Sequence, residues 1–219
     1  LLKTHKCNYN DETLFRFMKT RNIFANKTLK EQFASELGFG SPQSPVINSM
    51  DVSTAVLEPW MNEPYSELMS IVAMLKGINT LAQSFHWKCS GDTFVGDHEL
   101  FKQIYEGVIP QIDLVGEKAV GLGSSSLSSP TKLSKASLAF VEVILANQSV
   151  VQGSKNKTDA MFRTLGYAES MFIETTEKFM EDLIKKSSLT KGLDNLLSGI
   201  LDTHETYLFL LKQRTEQSF

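Results

Sequence analysis

The sequence predicts an all-α protein: four long helices packed as a bundle, a further helix in the crossover between the second and third, and an N-terminal extension. Three observations carry that expectation. Apolar residues recur at helical intervals over four stretches of roughly 20 to 30 residues each, longer than strands run. No stretch alternates apolar and polar residues in the way a half-buried strand does. Between the second and third stretches the chain reads GSSSLSSP from Gly123 to Pro130 and then resumes an apolar period, which suits a bundle with one long connection.

Residues 1–60 read as an extension or docking arm around something else rather than a unit that folds alone. Thr28 to Glu31 has capping-box spacing, and Leu29, Phe33 and Leu37 follow at helical intervals until Gly38. Gly38 to Pro45 is a linker by composition. The arm's Phe15, Phe17, Phe24 and Phe33 are expected to bury themselves on a neighbour, and a DNA-contacting role is the alternative for this segment.

The main domain is expected over residues 61–219. Its first long helix is predicted from about Asn62 to Cys89, with Pro64 tolerated in the opening turn and Ile71, Leu75, Ile78, Ala82 and Phe85 on one stripe. The second is predicted from Phe94 to Leu122, capped by Asp92 or Thr93 and stopped by Gly123. Pro110 lies inside it and removes a backbone donor, so a kink is expected there, helped by Gly107. A crossover helix is predicted over Leu133 to Val150. The third long helix, Thr158 to Lys186, carries Met161, Leu165, Ala168, Phe172, Phe179 and Leu183 on its buried side. The fourth, Leu193 to Lys212, carries Leu197, Ile200, Tyr207 and Leu211.

Composition excludes several classes. The 219 residues are 42% hydrophobic and 21% charged, with a net charge of -3 and a pI near 5.9, which is ordinary globular material. Residues 1–40 hold seven Lys or Arg against four Asp or Glu, a local +3 that is well short of a polybasic tail, so DNA binding is weakly supported. Two cysteines, Cys7 and Cys89, with no CxxC spacing exclude a zinc-finger framework and favour a reducing, cytoplasmic setting. The longest apolar run, Leu138 to Val151, is interrupted by Glu142, Asn147 and Gln148, so no membrane span is expected. No basic-then-apolar leader opens the chain.

The chemistry concentrates between Ser84 and Gly123. His86 ends one helical stretch and His98 begins the next, across a Ser90-Gly91-Asp92 break that reads as a turn. Asp113 and Glu117 are four apart on the second helix and share a face, offering hard oxygen ligands. At about 1.5 Å per residue they lie roughly 22 and 28 Å beyond His98 along the rod, so the four cannot converge within one chain. Two copies packed antiparallel about a twofold axis bring the carboxylates of one beside the histidines of the other, in two equivalent sites. Singly, each residue has a plainer reading: His86 as a C-terminal cap, His98 as a first-turn surface residue, Asp113 and Glu117 as a solvated face, Cys89 as a small buried filler. The joint register favours the metal. Mixed imidazole and carboxylate ligation suits Fe(II), with Zn, Mn and Co as competitors. No ExxH occurs anywhere, which excludes the intrachain di-iron pattern of bundle cores, and His204-Glu205 lacks the second histidine of a zincin.

The order His86-Trp87, Phe94, His98-Glu99-Leu100-Phe101, Asp113, Glu117 and Gly123 resembles the Dps family, the mini-ferritins or DNA-binding proteins from starved cells. The likeness covers roughly residues 64–213 and is sharpest from His86 to Gly123. It implies a ferritin-like four-helix bundle, an intersubunit ferroxidase centre built by His86 and His98 of one subunit with Asp113 and Glu117 of its mate, and iron storage in a twelve-subunit shell. Oxidation of Fe(II), typically by hydrogen peroxide, and a role in oxidative stress follow from the same likeness. A family aspartate four residues after the second histidine is Lys102 here. Its ammonium opposes a second cation, so one metal position per site is expected. A non-catalytic assembly protein reusing the bundle, or a DNA-protecting protein, is the alternative.

Overall fold

The computed structural model describes residues 52–61, 63–124 and 129–215. Six α-helices occupy them: α1 (Val52–Leu57), α2 (Ser66–Lys88), α3 (Phe94–Gly121), α4 (Pro130–Ala146), α5 (Lys157–Lys185) and α6 (Lys191–Thr215), with a short 3-10 turn, Glu58–Trp60, after α1. Among the described residues there is no strand, and no helix is long and apolar enough to cross a membrane. The readings that fall on residues 1–51, including Thr28 to Glu31 and the Phe15 to Phe33 aromatics, lie outside the described residues, as do 125–128 of the serine-rich connection.

The protein is a helical bundle. α2 packs on α3, α4 and α5, while α6 packs on α5 and, more lightly, on α3. α2 sits nearest the middle, and the sequence explains why: Leu68, Met69, Ile71, Val72, Ala73, Met74, Leu75 and Ile78 are nearly or fully buried, an apolar surface on several sides rather than one stripe. Aromatic rings fill the remaining interior, with Phe101 stacked on Phe162 at 4.3 Å between α3 and α5.

Local chemistry sets the ends. Asn156 caps α5 by accepting from the Asp159 N–H at 2.9 Å, and Ser129 caps α4 ahead of Pro130. Gly91 in the α2–α3 turn has φ +114° and Gly123, just past α3, has φ +102°. Both are left-handed positions that glycine adopts freely. α3 runs through Pro110 as one helix.

Val52–Trp60 falls within the extension by sequence, yet it packs on α4 and α2. Trp60 is fully buried and clusters with Met69, Ala73 and Ala136, and the Lys132 ammonium lies 5.9 Å from its ring. Burying an indole removes enough apolar area from water to anchor two short helical pieces that have no length to hold themselves.

The bundle interior is not wholly apolar. His204 on α6 is fully buried, with Nδ1 2.5 Å from Glu169 Oε2 on α5 and Nε2 2.7 Å from Gln111 Oε1 on α3. The other carboxylate oxygen, Glu169 Oε1, is buried without a hydrogen-bond partner. Tyr207 packs edge-on to His204 and rests its hydroxyl against Gly107 of α3, where an added Cβ would stand 2.1 Å from the phenolic oxygen.

Gly107→Ala should therefore destabilise the bundle by about 1 to 3 kcal/mol through overpacking. Adding Tyr207→Phe, which leaves the ring carbon at 3.4 Å as the nearest neighbour, should restore most of that loss in urea denaturation. Burial, and then the charge of Glu169, raise the Tyr207 phenol above its ordinary 10.0. A phenol that resists ionising in the folded state leaves stability intact below pH 10 and erodes it as pH climbs above that value. Thermal melts from pH 9 upward should show a decline that Tyr207→Phe reduces.

Candidate metal centre

His86 lies in the last turn of α2 and His98 directly follows the first turn of α3, so the short turn between them folds the two helix ends side by side. Their rings stack, with centroids 3.6 Å apart and planes 25° from parallel. Each ring is held by the other residue's backbone: His86 Nδ1 lies 2.9 Å from His98 O, and His98 Nδ1 lies 3.0 Å from His86 O. A carbonyl oxygen only accepts, so Nδ1 carries the proton in both rings. In the neutral imidazole this leaves each Nε2 with a free lone pair. The carbonyl bonds fix the tautomer and the orientation of both rings.

Aromatic rings and a thiol surround the pair. Phe94 tilts over His98 at 4.9 Å, and Tyr105 meets His86 edge-on at 5.2 Å. Cys89 is buried, donates its thiol to His86 O at 3.4 Å and lies 3.9 Å from His98 Nδ1. Burial first, and the nearby Asp97 carboxylate second, push this thiol above its ordinary 9.0, so it stays protonated near neutral pH and serves as packing. Trp87 points outward, 71% exposed.

Asp113 and Glu117 are exposed on α3. They stand apart from the histidine pair, and among the described residues no group of three His, Cys, Asp or Glu side chains comes together to hold a metal. The same outer side of α3 carries the exposed apolar residues Phe94, Val95, Ile109, Leu114 and Val120. Lys102, one turn after His98, pairs with Glu99 at 3.9 Å in an exposed contact of little energetic weight.

No protein-family model matches the chain. It is 27% identical over 125 residues to an uncharacterized protein of Haemophilus influenzae, an alignment that takes in 55% of this chain and 78% of that protein.

Sequence reasoning missed two groups that brace α3. One is the Gln111–Glu169–His204 network. Its signal was present, since Glu169 is four residues after Leu165 and three before Phe172, a polar residue in a buried register. The other is Asp97 with Arg214, bonded at 2.7 Å across 117 residues of chain, which no local spacing announces.

The tautomer assignment has a direct readout. Long-range proton–nitrogen spectra of imidazole-labelled, metal-free protein near neutral pH should show protonated Nδ1 and bare Nε2 for both His86 and His98. A bare Nδ1 in either ring would contradict the reciprocal bonding.

Proposed function

We propose that the protein is a Dps-type mini-ferritin, a ferritin-like four-helix bundle with α4 as its crossover, whose subunits pair to oxidise Fe(II) and store it as ferric iron. The observation that carries this reading is the locked histidine pair, which offers two imidazole Nε2 donors with their tautomers already set. Fe(II), with Zn, Mn and Co as competitors, suits such donors once oxygen ligands complete the set.

The oxygen ligands come from a second copy. The outer stripe of α3 carries His98 and Lys102, with Glu99 beside them, toward one end and Asp113 and Glu117 toward the other, with Tyr105, Glu106 and Ile109 between them. An antiparallel twofold pairing of this stripe is self-complementary: it sets acid against imidazole twice and buries the exposed apolar residues in the same stroke. In the pair the exposed carboxylates become ligands and the exposed apolar residues of α3 gain a partner surface.

In the reaction so framed, iron is the substrate. His86 and His98 bind it through nitrogen, Asp113 and Glu117 of the mate neutralise its charge and tolerate the harder ferric state, and the peroxide or oxygen supplied from solution takes the electrons. Lys102 stands where a further carboxylate would hold a second cation, so each site takes one iron tightly. Twelve subunits in a shell, built from such pairs, is the assembly that the likeness suggests for storage.

The Lys102 substitution is also the observation that favours a second reading, a non-catalytic assembly protein that keeps the dimer and has lost turnover. Stopped-flow absorbance during Fe(II) addition separates the two. His98→Ala should slow oxidation on the order of 100-fold, and wild-type titration should give one tight equivalent per subunit. Traces that do not differ between wild type and His98→Ala would leave the assembly reading, and two tight equivalents would refute the role given to Lys102.

A further inference from the structure

The far end of α6 reaches the histidine half-site through one residue. Arg214, in the last turn of α6, donates from Nε to Asp97 Oδ1 at 2.7 Å and from Nη2 to Asp97 Oδ2 at 2.9 Å. Nη2 also donates to Thr93 Oγ1 at 2.8 Å, and that hydroxyl donates to Asp97 Oδ2 at 2.7 Å. The Asp97 side chain is only 3% exposed, whereas Arg214 is 33% exposed, and the guanidinium carbon lies 5.2 Å over the ring of Phe162. A planar fork on both oxygens of a buried carboxylate fixes orientation as well as distance.

The position of this fork matters more than its strength. Thr93 is the N-cap residue of α3, yet its side chain makes no capping bond to the helix, so its hydroxyl is committed to the clamp instead. Asp97 immediately precedes His98. The His98 carbonyl holds the His86 ring, and the His98 ring reaches back to the His86 carbonyl. A rotation of the first turn of α3 therefore moves both imidazoles together.

We infer that Arg214 is a positioning residue for the histidine half-site: acting through Asp97 and Thr93, it sets the first turn of α3 and so the aim of both Nε2 lone pairs. This rests on reading His86 and His98 as metal ligands. Lysine at position 214 keeps the charge but loses the fork, and glutamine loses both.

The test compares wild type, Arg214→Lys and Arg214→Gln in the full chain, each shown to be folded by circular dichroism. Co(II) affinity is followed by absorbance and amide hydrogen exchange is followed along α3. Arg214→Gln should weaken Co(II) binding about 10- to 100-fold, with Arg214→Lys recovering part of it. Exchange should quicken in residues 94–101 and stay unchanged in 111–121. If wild type binds Co(II) and both variants bind it equally well, the positioning role is overturned while the ligand reading stands. If wild type itself takes up no Co(II), the ligand reading fails. The clamp is then judged by exchange alone, where an unchanged first turn overturns it and a quickened one supports it.

Discussion

Two hydrogen bonds running in opposite directions across the α2–α3 turn lock the His86 and His98 rings together. Helix termini leave carbonyls and N–H groups in need of partners, and here the carbonyl of His86, in the last turn of α2, takes the His98 Nδ1–H at 3.0 Å. The carbonyl of His98 has a second lone pair and takes the His86 Nδ1–H at 2.9 Å. Satisfying the backbone and orienting the imidazoles are thus one event. If the turn did not bring the helix ends together, the rings would be two ordinary surface histidines. Gly91, with its left-handed backbone, makes that close return feasible.

The second constraint is the length of α3. A continuous helix cannot fold its own acids back onto its own histidines over some 20 Å, and the inner side of α3 is gripped along its length. Arg214 holds Asp97, the Tyr207 hydroxyl rests against Gly107, and His204 holds Gln111. All three come from α6. Gly107 and Pro110 are the positions where a helix most easily bends, and these contacts flank and fill that region. The outer face consequently holds the imidazoles near one end and Asp113 with Glu117 near the other. Under the proposed pairing, a change in that spacing would separate donors that must meet across the twofold axis.

Much of this was readable from periodicity. The long helices begin and end within a few residues of where caps, glycines and apolar spacing put them; α3 was expected over Phe94 to Leu122 and spans Phe94–Gly121. The nearness of His86 and His98 was readable too, because a short polar break between helices leaves the ends nowhere else to go. What spacing did not reveal is pairing at a distance. Trp60 looked like part of an extension because a single turn has no period to read, and only the groove between α2 and α4 shows why an indole belongs there. Glu169, His204 and Gln111 lie on separate helices, and Arg214 meets Asp97 only once the bundle is closed.

Subunit complementation tests the central claim, that one copy's histidines work with another copy's acids. One variant carries His86→Ala with His98→Ala, and the other carries Asp113→Asn with Glu117→Gln; each alone should oxidise Fe(II) at the background rate. Dissociated, mixed in equal amounts and reassembled, they should regain about a quarter of wild-type activity, because random pairing makes half the dimers mixed and each mixed dimer holds one intact site of two. A mixture no more active than its separate components, with mixed dimers shown to have formed, would contradict the shared site.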